Sequence, residues 1–575
     1  MARETWREID EFRPCLVKGE WPTIPELFLM AKERNGEGIA ISQLGSDGKK
    51  RGYSYDEVLD QIEKISTYLH KRGISKGDKV AVNGKNSPEW VLSYLAIVFL
   101  GAVAVPIDNL MKVERMSALA KFADVKFVFA DDDVLEKLET RTGDWYETLS
   151  GAISLTECNG KYPYIWNIDE GKELEVPVDI NENDTAAILF TSGTTGNEKG
   201  VVLTHRNFTS NAYQITSKMD YLENKREVFY AVLPIHHCYC FTAVFLCSLA
   251  FASETLFGRG MIMSRMVEDL KVGKATVFMG IPLLYNKIIA GILKKMKAQG
   301  RVKYTLVRIA MIYNGVMKEL FNKAPLRPFF DKKVLSNLGL DELRVMICGA
   351  GPLSSKVFRN YQQLGVNFLQ GYGLTETSPV LCFNPADHFK VKSVGQVLPF
   401  IDMIIADKGS DGVGEIRVKG PNVTSGYYHD EKNTKLLFDE NGYLKTGDLG
   451  KLDRENYCYL MGRAKNIIVT EGGKNVYPEE IEEHFQLYDE IDQILIRGYI
   501  EKKDVPSEAI EVLIYPSESY MKEHGLDKAG MEEKIHADVR EVNKNLETYK
   551  KISKITILDK PMAMTTTKKI KRESI

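Results

Sequence analysis

The chain has almost no net charge: 76 Lys and Arg stand against 79 Asp and Glu, a formal balance of -3 over 575 residues. Without a positive excess there is no general field to neutralise phosphates, which argues against a dedicated nucleic-acid binder and predicts no nucleic-acid partner. Cysteine is scarce, eight residues in all. The nearest pair, Cys238 and Cys240, has C-x-C spacing and no matching second pair; this disfavours a zinc site or a disulfide framework and points to a reduced, cytoplasmic compartment. No internal repeat, low-complexity tract or Pro- and Ser-rich linker breaks the sequence, so any domain boundary is a short hinge. The opening MARETWREIDEFRPC mixes acids and bases around no apolar core, unlike a secretory signal or an acid-poor transit peptide, and the mature chain is expected to start here. One uncharged run is long: WVLSYLAIVFLGAVAVPI, eighteen residues at 90–107. That is the bare minimum for a membrane span, but Gly101 followed by AVAVPI reads as a helix, a turn and a buried strand. No transmembrane segment is expected.

What is present is globular: 44% hydrophobic and 27% charged residues. At about 150 residues per domain the length corresponds to roughly four domain-sized units. Short apolar strands, KVAVN at 79–83, KFVFA at 126–130, AAILF at 186–190, VFYAVL at 228–233, TVFMG at 276–280 and RVMICG at 344–349, alternate with helical stretches such as 205–219 and 282–300. Such alternation predicts parallel α/β layers. After residue 393 short strands with Gly and Asp turns predict a smaller β-rich unit. From 466 the order is strand, helix, two strands, long polar helix at 527–547 and strand, a compact α+β unit of about 110 residues. The expected fold class is therefore α/β, a large N-terminal region of layered α/β subdomains plus a β-rich subdomain, followed by a small α+β C-terminal domain on a hinge.

The segment richest in chemistry is LFTSGTTGNEKGVVLTHRN at 189–207. A strand ends at Phe190 and the next residues, Thr191, Ser192, Gly193, Thr194, Thr195 and Gly196, are all small, with Lys199 shortly after. Small hydroxyl residues and glycines at a strand exit offer backbone N–H groups and hydroxyls to a polyphosphate. It is not a Walker A loop, because no Gly-Lys pair in the chain is followed by Ser or Thr. A polar hairpin loop would have the same composition.

TSGTTGNEKG resembles the signature phosphate loop of the adenylate-forming enzymes, the superfamily of acyl-CoA synthetases, peptide-synthetase adenylation domains and firefly-type luciferases. Five further blocks follow in the family's order: PIHH at 234–237, GAGP at 349–352, GYGLTET at 371–377, YLKTGDL at 443–449 and GRAKNIIVTEGGKNVYPEEIE at 462–482. A weaker one, TTTKKIKR at 565–572, closes the chain, and the resemblance spans about residue 25 to the end.

On the residues alone, Tyr372 between Gly371 and Gly373 leaves a flat aromatic face uncovered, suited to a purine, and the carboxylate of Glu376 suits Mg2+. A plain turn and a solvated Glu are the alternatives. The resemblance implies that Tyr372 stacks on adenine, Thr375 contacts the α-phosphate and Glu376 holds Mg2+ with Thr191. The glycines of Gly349, Ala350 and Gly351 allow close backbone approach to a ligand; in the family this loop flanks adenine and the acyl pocket. Asp448, otherwise a turn cap, is implied to accept from both ribose hydroxyls with the help of Arg463. His237, which could equally be a core or capping histidine, is implied in preference to His236 beside the substrate carboxylate. The following CYCFTAVFLCSLAFA at 238–252 contains no acid, which suits an uncharged acyl chain better than an ammonium.

The resemblance further puts the hinge at Lys465, dividing a large adenylation domain (1–465) from a mobile domain (466–575), and places the loop of Gly472 and Gly473 against a pantetheine tunnel. The last block departs from pattern, with Lys568 where the family has Gly. Lys569, directly before Ile570, is the implied catalytic lysine and Lys568 its rival; a solvated basic tail is the bland alternative. The function implied is activation of a medium- to long-chain fatty acid with ATP and Mg2+, then transfer to CoA. A carrier-protein acceptor, a free acyl-AMP product, a short-chain or aromatic acid, a luciferase-like oxygenase and a nucleotide-binding regulator without turnover remain as alternatives. A peripheral membrane contact is left open as a source of fatty substrate.

Overall fold

The computed structural model describes residues 7–157, 160–172, 174–191, 198–222, 226–471, 473–500, 508–565 and 569–572. The apolar strands read from the sequence assemble into two large sheets. The first has seven strands in the order 426–427, 199–204, 185–191, 103–106, 79–83, 125–130 and 151–154. Its middle is parallel, and Thr185–Thr191 and Lys199–Thr204 form an antiparallel pair at one side. The second sheet has thirteen strands. Strands 39–44, 254–257, 228–231, 277–280, 345–348 and 368–373 run parallel to one another, and 50–54 closes that edge antiparallel to 39–44. Beyond Phe368–Gly373 the pairing turns antiparallel and continues through 380–383, 395–397, 457–463, 444–452, 414–419 and 402–406. The β-rich subdomain is thus joined edge to edge with the α/β layers.

The eighteen-residue uncharged run is core. Pro88–Phe99 is a helix started by Ser87, which accepts from the Trp90 N–H at 3.3 Å, with Pro88 in its first turn, where a missing N–H costs nothing. Gly101, with φ +70°, turns the chain into the strand Val103–Pro106. Every residue from Trp90 to Phe99 is buried, because the helix lies between the sheet and the helices Ile24–Asn35 and Tyr55–Lys71. No helix among the described residues is long and apolar enough to cross a membrane.

The C-terminal domain pairs Ile491–Tyr499 antiparallel with Ala509–Pro516, and Lys554–Ile557 parallel with the latter. Ile481, Phe485, Ile496, Val512, Met531 and Ile535 form its own core. The long polar helix is Lys528–Asn545, capped by Asp527, whose side chain accepts from the Gly530 N–H at 2.8 Å. One element went unread in the sequence: residues 301–343 contain the 21-residue helix Arg301–Phe321.

The two N-terminal helical layers meet at a histidine. His205, in the first turn of the helix His205–Thr216 and 1% exposed, accepts the Ile24 N–H on Nδ1 at 3.2 Å. Burial lowers its pKa to about 4, Asp184 opposing and Lys76 adding to the shift. Below pH about 6.5 an unfolded chain binds a proton there that the folded chain refuses, so this stability is full above that pH and is lost as pH falls toward 4. The expected loss is about 3 kcal/mol. Thermal melting at steps from pH 7 to 4.5 should show the fall, and His205→Gln, which can still accept the Ile24 N–H, should flatten it.

Candidate active site

Parallel strands carry their loops to one edge, and ligands of open α/β sheets gather there. In this chain the ends of Thr185–Thr191, Val277–Gly280, Val345–Cys348 and Phe368–Gly373 open onto a cleft of 2210 Å³, which the C-terminal domain covers from the other side. Of the described residues singled out in the sequence, Thr191, Lys199, His237, Gly349, Ala350, Gly351, Gly371, Tyr372, Gly373, Thr375, Glu376, Asp448, Arg463, Lys465 and Lys569 all border it. Gly473 does not; it sits with φ +65° in the turn between Ile468–Val469 and Asn475–Val476. Ser192, Gly193, Thr194, Thr195, Gly472 and Lys568 lie outside the described residues.

One end of the cleft is built on a strand pair. Asp448 and Arg463 face each other in the antiparallel ladder of Leu444–Leu452 and Tyr457–Arg463, and Arg463 Nε lies 2.7 Å from Asp448 Oδ1. The other carboxylate oxygen accepts from the Tyr372 hydroxyl at 2.7 Å. Burial pushes the Asp448 pKa up, while Arg463, the Tyr372 hydrogen bond and Lys569 work against it. Tyr372 is not uncovered, as its flanking glycines suggested: it is 8% exposed and packs into the core of the antiparallel strands, because the Asp448 bond holds it down.

Next along the cleft lie the oxygen donors. Thr191 and Lys199 pair across their strands. The Lys199 ammonium stands 4.7 Å over the Tyr427 ring, within cation–π range, and the Tyr427 hydroxyl donates to Glu376 Oε1 at 3.0 Å. Glu376 is further fixed through its backbone, whose carbonyl accepts from the Thr424 N–H at 2.9 Å.

Lys569 enters from the C-terminal domain, with its side chain exposed to the cleft. Crowding by protein atoms and the Arg463 guanidinium lower its pKa, and Asp448 opposes them. Its backbone is pinned on both sides: the Thr565 N–H donates to the Lys569 carbonyl at 2.8 Å, and Arg572 grips Glu482 at 2.5 and 2.7 Å. His237 borders the same space. Burial lowers its pKa to about 4, with Asp108 opposing and Lys569 adding to the shift, so it is neutral at pH 7. The His236 ring lies beside it, tilted by 43° with centroids 4.3 Å apart, and is more deeply buried.

One stretch of the wall is uncharged, while further charged side chains such as Lys287, Lys294, Lys356 and Arg359 line the cleft elsewhere. Tyr239, Ala243, Met279, Ile281, Leu283 and Ile347 form the uncharged stretch. Tyr239–Leu246 winds as a π-helix, a form frequent at functional sites. A Cβ at Gly349 would stand 2.8 Å from the Tyr239 ring, so this glycine makes room for protein. In the same loop Ala350 holds the positive φ of +64°.

Residues 30–428 match the AMP-binding enzyme family, and residues 465–575 match the AMP-binding enzyme C-terminal domain. The chain belongs to the AMP-binding enzymes. Among curated proteins it is 28% identical over 486 residues to a long-chain-fatty-acid–CoA ligase, ACSBG2, of Mus musculus, covering 80% of this chain and 72% of the relative. It is 26% identical over 646 residues to a chloroplastic long-chain-fatty-acid–[acyl-carrier-protein] ligase, AEE15, of Arabidopsis thaliana, covering 98% of this chain and 86% of the relative. Among solved structures, the anthranilate CoA ligase AuaEII with anthranoyl-AMP superposes with a TM-score of 0.77 at 17% identity, over 97% of both chains. The o-succinylbenzoate CoA synthetase of Bacillus subtilis with ATP and magnesium ion gives 0.70 at 21% identity, over 95% of this chain and 98% of that one. These two establish the shared fold.

Some residues of this AMP-binding enzyme were invisible in its sequence. Tyr427 lies 51 residues from Glu376 and in no motif. Asp108, whose charge reaches His237, stands alone after a strand. Gln486 and Glu483 bridge the domains: the Ser354 N–H donates to Gln486 Oε1 and the Ser355 N–H to Glu483 Oε1, both at 2.7 Å, and Gln486 Nε2 donates to the Pro352 carbonyl at 2.9 Å. Each is a polar residue whose partner is distant in sequence, so no local pattern marks it.

Gly373 shows how tightly the strand end is drawn. A Cβ there would fall 1.7 Å from the Pro379 carbonyl oxygen, which cannot yield because it accepts from the Leu374 N–H at 3.0 Å and the Thr377 hydroxyl at 2.6 Å. Gly373→Ala should cost about 3 kcal/mol or more. Gly371→Ala, whose Cβ would be 3.3 Å from the nearest atom, should cost much less; thermal melting of the two variants makes the comparison.

Proposed function

We propose that this enzyme activates a medium- to long-chain fatty acid to acyl-AMP and then transfers the acyl group to CoA. The observation that carries the reading is that one cleft joins a charged group, Asp448, Arg463, Lys569, Glu376 and Lys199, to an uncharged patch formed by Tyr239, Ala243, Met279, Ile281, Leu283 and Ile347. A nucleotide and a carboxylate belong at the first and an alkyl chain at the second. The long-chain specificity of the ACSBG2 and AEE15 ligases supports the chain length.

In this reading Asp448 accepts from the ribose hydroxyls and Arg463 holds its carboxylate in place. Tyr372 lies along adenine, Thr375 and the 191–199 loop receive the phosphates, and the 349–351 loop separates adenine from the acyl chain. Mg2+ fits the donors present: Glu376 has one oxygen outside the Tyr427 bond, Thr191 supplies a hydroxyl, and no cluster of three or more acidic, His or Cys residues among the described ones would compete. Such a one-carboxylate site, completed by substrate phosphates and water, is typical for this ion. When bound, it neutralises phosphate charge. The fatty carboxylate oxygen attacks the α-phosphorus, the bond to pyrophosphate breaks, and Lys569 offsets the charge that builds on the α-phosphate. Neutral His237 orients the carboxylate without repelling it or binding it as an ion pair.

The second step needs a different arrangement. With Lys569 in the cleft, the C-terminal domain is set for adenylation; rotation about Lys465, between strand Tyr457–Arg463 and the hairpin that carries Gly473, would withdraw it and bring that hairpin in for the CoA thiol. The bridges at Gln486, Glu483 and Lys294–Glu523 are polar and few, which suits a contact made and broken each turnover. The sulfur then attacks the acyl carbonyl carbon and AMP leaves. Transfer to a carrier-protein thiol is the second reading, favoured by the AEE15 ligase, which matches nearly the whole chain.

A panel of acids from acetate to stearate, with aromatic acids, should give CoA thioester chiefly with the longer chains. Thioester formed only on a carrier protein would select the second reading, and none on either would overturn both. Lys569→Ala should lower acid-dependent pyrophosphate release by about 100-fold or more while still converting supplied acyl-AMP to thioester. Loss of both steps would contradict the rotation, and the same split in Lys568→Ala would move the role by one residue.

A further inference from the structure

The helix Arg301–Phe321 buries one side and exposes an apolar stripe on the other. Met311, Asn314 and Lys318 are buried on one, where the Asn314 side chain donates to the Gln363 carbonyl at 3.1 Å and Lys318 Nζ to the Val366 carbonyl at 2.7 Å. On the other side Val302, Leu306, Ile309, Tyr313, Val316 and Leu320 recur at spacings of four and three, which puts them on one narrow stripe, and each is 47–76% exposed. The helix is about 30 Å long, and a continuous apolar stripe of this length facing water is not a feature of an ordinary surface. The charge around it is mostly basic. From Leu270 to Lys318 the chain carries ten Lys or Arg and no Asp or Glu, a local excess hidden in the overall balance, and the exposed Glu319 is the one acid of the helix. Lys295, Lys297, Arg301 and Lys303 are exposed at the near end of the stripe, and Lys323, Lys332 and Lys333 beyond the far end.

We propose that this helix is a membrane-docking face that lies flat on an anionic lipid surface, its apolar stripe in the acyl boundary and its lysines and arginines on the headgroups. An apolar stripe edged by basic residues is what an interfacial helix requires, and anionic headgroups complement the charge. A second copy of the chain fits less well, since stripe against stripe would bring the two basic rims together. The preceding helix, Pro282–Lys297, lines the cleft with Leu283, Asn286, Ala290 and Gly291. The docked hairpin would thus bring the uncharged patch next to the bilayer, from which a fatty acid could enter; that consequence rests on the proposed function, and the docking itself does not.

The test is co-sedimentation of the full chain with vesicles of phosphatidylcholine alone or mixed with phosphatidylglycerol, read alongside sedimentation velocity without lipid. The chain should bind the anionic vesicles and not the neutral ones, and added salt should weaken binding. Leu306→Asp with Ile309→Asp should reduce binding at least about tenfold with the melting temperature unchanged, since both side chains point to water. If that variant melts early, Lys297→Gln with Lys303→Gln takes its place and should lower binding at low salt. Absence of binding to anionic vesicles, equal binding by wild type and variants, or a lipid-free dimer that the Asp variant converts to monomer would overturn the proposal, the last by assigning the face to a second copy.

Discussion

The site is organised around a carboxylate held where burial alone would discourage its charge. Asp448 is 7% exposed, and burial raises its pKa. A buried carboxylate is tolerated only when its oxygens are satisfied, and here each has a strong donor: Arg463 from the neighbouring strand and Tyr372 from the strand end where the large sheet changes from parallel to antiparallel. That one group therefore ties the β-rich subdomain to the α/β layers. It also connects to the C-terminal domain, because the field of Lys569 reaches Asp448 while Arg463 pushes against Lys569. Arg463 and Lys569 both face Asp448, while Glu479 adds a second anion nearby.

The two domains are held differently. The large region is stitched by strand ladders and extensive apolar cores, whereas the C-terminal domain has a separate core and, among the described residues, touches the large region mainly through side-chain hydrogen bonds, the Lys294–Glu523 ion pair and the partly buried Leu487. Surface pairs of this kind contribute about 1 kcal/mol or less. Such an interface can open without exposing much apolar area, so a domain swing carries little hydrophobic penalty. The rigid ladder holds Asp448 and Arg463, and the movable part holds Lys569.

Much of the fold was legible because parallel strands buried on both faces leave apolar runs that no surface element has. KVAVN, TVFMG and RVMICG all became strands within a residue or two, and Gly101 marked the turn that removes the uncharged run from the list of membrane spans. The helix Arg301–Phe321 was missed for a physical reason. Its regular apolar stripe faces water while Asn314 and Lys318 lie on the buried side, so only packing decides which side is core. Similarly, Tyr372 between two glycines reads as exposed, and only the partner on a strand 76 residues away shows why it is buried.

The sequence by itself determined the chemistry available: which residues sit at strand exits, the order of the motif blocks, the acid-free apolar stretch after His237, and the local basic excess from 270 to 318. These are properties of neighbouring residues and need no fold to be read. The tertiary structure alone decided the partnerships, Asp448 with Arg463 and Tyr372, Glu376 with Tyr427, Gln486 with the 352–354 loop, because each joins segments whose register is set by distant packing. It also decided which face of Arg301–Phe321 is left without a cover, since burial is a property of the assembled surface and not of any segment.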